Sequence, residues 1–318
     1  MFHSAPAELP DSVTDRTPRS HSRCFCVLNA ASGSHAAGTT RDLIEGIFAQ
    51  RNCDVQIVTA EDGDIAEMVR DAVRAGAKMA VAGGGDGTVN AVVNGLAHTD
   101  AALAVLPLGT LNHFAKDLGI PLALEDAVAT ALEGEVRRVD AGEVNGRLFV
   151  NNSSIGLYPQ IVRERSALEK HGHGKWPALV RATLAVFRRS KSLRTKLRFA
   201  SGVLAGRADL VFVGNNEYAF APPHIGARQR IDKGVLWIYR VPHAGRFRAI
   251  AAAIAAFSGG GQPKAPLAFT AAELRIEMRS RSIDVALDGE VLRMNTPLYY
   301  RSRAGALRVM VPRQEQHG

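Results

Sequence analysis

The 318 residues are 46% hydrophobic and 22% charged, the make-up of a folded globular protein that is long for one domain. Three cysteines, Cys24, Cys26 and Cys53, are too few and too odd in number for a disulfide framework, and no apolar run reaches the ~18 residues of a membrane-spanning helix. The net charge of +8 favours an acidic partner: nucleic acid, anionic membrane or phosphorylated ligand.

In chain order, residues 1–22 are rich in Ser, Pro, His and charge without an apolar core and read as a disordered tail. From 23 strands and helices alternate: strand 24–28, helix 38–51, strand 53–58, and helix 64–75 with Ile65, Met68, Val69, Ala72 and Val73 on one face. Cys24 and Cys26 alternate in the first strand and read as reduced core thiols rather than a metal or redox pair. Strand 78–82 then breaks into glycine, 89–96 restarts with helical spacing, and strand 102–106 ends in Pro107-Leu108-Gly109-Thr110. This pattern predicts an α/β nucleotide-binding domain over 23–135 with a parallel sheet, whose ligands bind beyond the carboxyl ends of the strands at loops 29–33, 59–63, 83–88 and Gly109-Thr110.

After 135 the texture changes to short runs at 136–144, 147–152, 193–199, 208–213, 235–241, 274–278, 283–287 and 297–300. Asn145-Gly146 and Asp288-Gly289 are turn sequences between them. A β-rich second domain over 136–305 is predicted, with helical stretches near 156–170, 177–189 and 245–257 and a closing strand at about 306–312 that returns to the first domain. No internal repeat is present.

The segment Val81-Ala82-Gly83-Gly84-Gly85-Asp86-Gly87-Thr88-Val89-Asn90 sits where a strand hands over to a helix. Glycines let the backbone approach an anion, and helix N–H groups point into such a turn, with Thr88 expected to cap it. It is not a Walker A loop, because no lysine followed by Ser or Thr closes it, and Asn90 stands where a dinucleotide fingerprint needs its third glycine. The alternative is an ordinary glycine-rich turn. Three glycines in a row raise the unfolded-state entropy by ~0.5–1 kcal/mol each against alanine, which favours a phosphate-binding role.

This loop, the run Leu106-Pro107-Leu108-Gly109-Thr110-Leu111-Asn112-His113-Phe114-Ala115 and the turn Leu287-Asp288-Gly289-Glu290 occur in the order found in the diacylglycerol kinase catalytic-domain family. From about residue 23 to the C-terminus the chain resembles that family, in particular its soluble bacterial lipid kinases. The resemblance implies an α/β nucleotide domain, a β-sandwich-like second domain and an active site in the cleft between them. It implies ATP and Mg2+ as cofactors and a lipid substrate such as diacylglycerol. Nucleotide contacts are expected at Asn29, Thr59, Gly84, Gly85, Asp86, Gly87, Thr88, Val89, Asn90, Ala91, Gly109, Thr110 and Asn112. Glu290 matches the family's proton acceptor, with Asp288 as its essential neighbour. Asp86 would be repelled by phosphate and is expected on the catalytic Mg2+ or a bridging water. Without the resemblance Asp288-Gly289-Glu290 would read as a solvated hairpin turn.

Three positions depart from the family pattern: Ala91 and His113 replace acids, and Lys233 replaces the aspartate that holds a structural Mg2+ in relatives. The lysine ammonium is expected to stand in for the metal charge; Asp232 is the residue that would hold Mg2+ in a shifted site. His171-Gly172-His173 reads as a solvated loop, and Asn151-Asn152-Ser153-Ser154-Ile155-Gly156 as a cleft-lining loop or a capped turn. The basic residues of 163–198, interleaved with Trp176, Leu179, Leu184 and Phe187, are expected to lie on anionic membrane, and no nucleic-acid recognition motif is present. The expected activity is ATP-dependent lipid phosphorylation by a cytoplasmic, peripherally membrane-associated protein, with a homodimer left open. A kinase of a soluble hydroxyl compound, as in NAD kinases, and a non-catalytic nucleotide- or lipid-binding regulator are the alternatives.

Overall fold

The computed structural model describes residues 24–29, 34–160, 192–218, 228, 230–243 and 267–313. The tail 1–22, His171 to His173, the helical stretches expected at 177–189 and 245–257 and most of the basic stretch 163–198 lie outside them.

Four parallel strands open the chain: β1 (Cys24–Leu28), β2 (Val55–Thr59), β3 (Met79–Gly84) and β4 (Ala102–Pro107), in the order β2-β1-β3-β4. Every residue of β1, β3 and β4 is buried, which is why they read as unbroken apolar runs rather than alternating ones. Between and after them lie α1 (Ser34–Gln50), α2 (Ile65–Arg74), α3 (Asp86–Leu96), α4 (His113–Asp117) and α5 (Leu124–Glu133). The expected apolar face of α2 packs on the core through Ile65, Met68, Val69, Ala72 and Val73, and Asp64 caps the helix by accepting from Glu67 N at 3.0 Å.

The strand-rich remainder comprises β5 (Glu135–Val144), β6 (Arg147–Phe149), β7 (Asn152–Gly156), β8 (Leu193–Phe199), β9 (Gly202–Asn215), β10 (Leu236–Pro242), β11 (Leu267–Ala271), β12 (Glu273–Met278), β13 (Ser282–Leu287), β14 (Glu290–Asn295) and β15 (Leu298–Val311). Among the described residues all fifteen strands form one mixed sheet, and its two halves meet where β15 runs parallel to β4 at Val309 and antiparallel to β5. Two apolar cores lie along it. One gathers β1, β3, β4 and their helices; the other gathers Phe149, Ile155, Leu197, Val211, Val213, Ile238, Ile276, Leu298 and Tyr300.

Several expected boundaries move. The run 147–152 is two strands, because the backbone at Val150, Asn151 and Asn152 turns its N–H groups to the Asp288 carboxylate. The stretch from Asn152 to Gly156, expected as a loop or turn, is β7. The runs at 297–300 and 307–311 are one strand, β15, whose register shifts between Arg303 and Leu307. Neither β11 nor β14 was expected from the sequence. Gly83 and Gly84 belong to β3, Gly85 is the N-cap of α3 without a side-chain bond, and Thr88 lies inside the first helical turn instead of capping it.

Candidate active site

The carboxyl end of β3 and the first turn of α3 are fitted to each other atom by atom. A Cβ on Gly84 would stand 2.4 Å from Thr88 Oγ1, so the strand can pass under the helix only as glycine. That hydroxyl accepts from Asn29 Nδ2 at 3.2 Å, tying the end of β1 to the helix. The loop after β4 touches the first loop backbone to backbone: a Cβ on Gly109 would lie 2.4 Å from Gly85 Cα. Asn112, at φ 49°, fastens this second loop; it accepts from Gly109 N at 3.1 Å and donates to Pro107 O at 3.1 Å and Gly109 O at 2.8 Å. Its amide therefore serves the loop itself. The amino end of α3 leaves its first N–H groups without intrahelical acceptors, next to this glycine-lined junction.

The other nucleotide positions divide into two groups. Asn29 and Thr110 are exposed at the mouths of their strands, and Thr59 is half-buried at the end of β2. Val89 is buried in the core, and Asn90 is buried with its amide given to Leu148 O at 3.1 Å and Asp288 Oδ2 at 2.6 Å. Asp86 accepts from His113 N, Phe114 N and Asn151 Nδ2, each at 3.3 Å.

Asp288 and Gly289 are the two central residues of the hairpin joining β13 to β14, at φ 47° and 95°, with Leu287 and Glu290 paired across it. Positive φ at both positions is the geometry of a type I′ turn, which Asp-Gly favours. The Asp288 carboxylate is not solvated turn chemistry. Its Oδ1 accepts from Asn151 N at 2.9 Å and Asn152 N at 2.8 Å, and its Oδ2 from Val150 N at 2.7 Å and Asn90 Nδ2. Desolvation pushes its pKa up while these four donors oppose the shift. Glu290 follows at the start of β14, on the exposed side. Its Oε1 lies 3.3 Å from where a Gly87 Cβ would stand, directly against the glycine loop. Partial desolvation and the neighbouring Asp288 charge raise its pKa, and Arg147 opposes them.

A cavity of about 460 Å³ adjoins these groups. Its lining includes the polar residues Asp86, His113, Asp117, Asn151 and Asp288 and the apolar or aromatic residues Leu111, Tyr158, Leu210, Phe212, Tyr218, Trp237 and Tyr239. Trp237 stacks on Tyr239 with centroids 5.4 Å apart, and Phe212 meets both Trp237 and Tyr218 edge-on. A few polar groups and many apolar ones thus share one cavity, the composition of a small-molecule site.

Sequence reasoning passed over Arg228. Its side chain is 0% exposed. It donates to Asp117 Oδ2 at 2.7–2.8 Å, Asn151 Oδ1 at 2.8 Å, Val150 O at 2.5 Å and Asn215 O at 3.1 Å. Through Asn151 it reaches Asp86, so it joins α4, the β6–β7 break and β9, and two of its partners, Asp117 and Asn151, line the cavity. No local signal separates it from exposed Arg230 two residues later; only burial does.

The segment expected to replace a structural metal is also closed by cations. Asp232 is held by Arg230 at 2.9 Å and Arg137 at 3.3 Å, which depress its pKa, and Lys233 Nζ bonds Glu217. Buried Asp140 takes N–H groups from Gly234 at 2.6 Å, Gly305 at 2.8 Å and Asn216 Nδ2 at 3.1 Å. With a guanidinium on each oxygen of Asp232, these residues do not fit a structural Mg2+. Among the described residues no group of three or more His, Cys, Asp or Glu could hold a metal. A catalytic Mg2+ has a different requirement, since it is commonly held by one or two carboxylates together with substrate phosphates and water. Asp86, the first residue of α3 and part of the cavity lining, fits that requirement.

Residues 23–144 match the diacylglycerol kinase catalytic domain. The chain is 33% identical over 273 residues to a protein of Pseudomonas aeruginosa named "Probable lipid kinase YegS-like", covering 84% of this chain and 88% of that one. It is 32% identical over 263 residues to a protein of the same name from Pseudomonas fluorescens, covering 81% and 86%. A crystal structure of a diacylglycerol kinase from Bacillus anthracis superposes with a TM-score of 0.67 at 25% identity, over 91% of this chain and 96% of that one.

Proposed function

The chain belongs to the lipid kinases of the diacylglycerol kinase catalytic-domain family, and from that membership we propose that it transfers the γ-phosphoryl group of ATP to the hydroxyl of diacylglycerol or a related lipid. The observation that carries this reading is the approach of Glu290 Oε1 to within 3.3 Å of where a Gly87 Cβ would stand, which sets a carboxylate beside a phosphate-type loop 203 positions earlier in the numbering (290 − 87). The loop backbone from Gly85 to Thr88 grips the phosphates through N–H groups, and the amino end of α3 adds its dipole. Asp86 would hold Mg2+, which when bound neutralises phosphate charge. Glu290 accepts the proton of the attacking hydroxyl; its raised pKa makes it a stronger base than an ordinary glutamate. Asp288 keeps Glu290, Asn90 and the 150–152 backbone in one arrangement, which is positioning rather than proton transfer. The aromatic wall of the cavity supports an acceptor with an apolar body over a fully polar one.

We further propose that the protein works in the cytoplasm from the side of an anionic membrane through the basic stretch 163–198. Among the described residues no helix is long and apolar enough to cross a bilayer. Labelled ATP, Mg2+ and mixed micelles of candidate lipids test the activity. Wild-type protein is expected to yield a labelled phospholipid, Glu290→Gln to lose ~10²–10⁴-fold in transfer with ATP binding kept, as for removal of a general base, and Asp86→Asn to lose transfer as well. Transfer to soluble hydroxyl compounds without any lipid interface would shift the assignment to the alternative acceptor class, and ATP binding with no transfer to any acceptor would leave a regulator.

A further inference from the structure

Two thiols remote from the site meet across the first strand–helix–strand unit. Cys24 opens β1 and Cys53 lies just before β2, with their Sγ atoms 3.3 Å apart. That is hydrogen-bond contact for sulfur, roughly 1 Å beyond the ~2.0 Å of a disulfide bond. The sheet itself holds them together: Cys24 N donates to Asp54 O at 3.2 Å, and Cys24 is in register with Val55. Cys53 is half-exposed and so open to a small oxidant from solvent, whereas Cys24 is buried and borders a cavity of about 260 Å³ with Asp54, Gln56 and Ala75. Both sulfurs sit at the amino-terminal ends of the parallel strands, whereas Asn29, Thr59 and Gly85 mark the carboxyl ends. Phosphoryl transfer uses neither thiol.

The pair is also differentiated. The contact with Cys24 lowers the Cys53 pKa against burial and the Asp54 charge, while the same contact and burial raise that of Cys24. Cys26, two residues further along β1, is 0% exposed and pushed up to about 12 by burial. It shares the strand but not the contact.

We propose that Cys24 and Cys53 form a peroxide-sensitive dithiol that closes to a disulfide, stapling β1 to the start of β2 at the edge of the sheet. Cys53 sulfur attacks one peroxide oxygen; the O–O bond breaks, sulfur gains hydroxyl as a sulfenic acid, and the departing hydroxide takes the thiol proton as water. Cys24 sulfur then displaces hydroxide from the Cys53 sulfur, the S–S bond forms, and the Cys24 proton leaves in a second water. Two thiols lose two electrons and one peroxide becomes two waters.

The test treats the full chain with hydrogen peroxide, quenches with an alkylating agent in acid, and maps peptides by mass spectrometry. Titratable thiols should fall from three to one, with the Cys24 and Cys53 peptides joined, Cys26 alkylated, and all three thiols restored by dithiothreitol. Amide exchange in β2 should slow in the oxidised form. Cys53→Ala should keep Cys24 and Cys26 alkylatable after peroxide, and Cys24→Ala should leave Cys53 trappable by dimedone as a sulfenic acid. A peptide joining Cys26 to either partner would overturn the proposal. So would an unmodified chain in which peroxide drives Cys53 to sulfinic acid while Cys24 stays alkylatable.

Discussion

The parallel half of the sheet and the strand-rich half contribute to the site by different physical means. Around β3, β4 and α3 the arrangement is made by backbone and close packing: glycine under threonine, glycine against glycine, and N–H groups at a helix start. Around β7, β9 and β13 it is made by polar side chains that have left water and bind backbone, as Asp288, Arg228, Asp140 and Asn215 do. The first kind tolerates almost no added volume, because interiors are close-packed. The second tolerates no lost partner, because each buried polar group left alone carries its full desolvation penalty.

Removing a partner should therefore have the largest effect. Arg228→Met strands Asp117, the Asn151 amide oxygen and two carbonyls, and is expected to destabilise by about 3–5 kcal/mol, as for one member of a buried ion pair; urea unfolding measures it. Arg228→Lys keeps the charge but not the planar fork, so it should recover only part of the loss. An unchanged midpoint in Arg228→Met would show that this half does not depend on its polar joints.

Added volume comes next. Gly84→Ala puts a Cβ 2.4 Å from Thr88 Oγ1 and should cost about 1–3 kcal/mol as overpacking does, with ATP affinity falling alongside the melting temperature. If ATP affinity falls while the melting temperature holds, the close fit serves the ligand rather than the fold.

An exposed joint should matter little even in the polar half. Lys233 and Glu217 are 41% and 45% exposed, so Lys233→Ala is expected to change stability by about 1 kcal/mol or less. A larger loss would mean that the lysine does the work of a structural cation.

The smallest effect is the pH dependence of Glu290. Its carboxyl pKa is raised in the folded state, so the folded form binds the proton more tightly than the unfolded form. Stability then falls as pH rises from the ordinary glutamate range through the raised value, and stays lower above it. Glu290→Gln lacks this term. Its unfolding free energy should exceed that of wild type near neutral pH, and the gap should close as pH falls below the ordinary glutamate range. A gap of the opposite sign would place Glu290 in a stabilising contact.

The two halves also differed in how plainly the sequence announced them. β1, β3 and β4 were legible because strands buried on both faces are apolar throughout, and α2 because its apolar residues repeat at helical spacing. The turns at Asn145-Gly146 and Asp288-Gly289 were legible because only a few residues accept positive φ at both central positions. The break between β6 and β7 was not. It depends on Asp288, 136 to 138 residues away, taking three consecutive N–H groups that would otherwise continue a strand. Strand β14 was missed because Glu290-Val291-Leu292-Arg293-Met294-Asn295 has a weak apolar alternation, and pairing with β13 decides it.

At the glycine loop the sequence by itself determined a great deal: a strand-to-helix junction open to an anion, an acid beside it, and membership of a recognisable motif order. Those are properties of local conformation, and local conformation is written in neighbouring residues. Tertiary structure alone decided that Thr88 roofs Gly84 instead of capping the helix, that Asp288 is bound by four donors while Glu290 is left against Gly87, and that Arg228 rather than Arg230 is buried among Asp117, Asn151 and the backbone. Each of these turns on which distant groups share a space from which water is excluded, and no spacing along the chain encodes that.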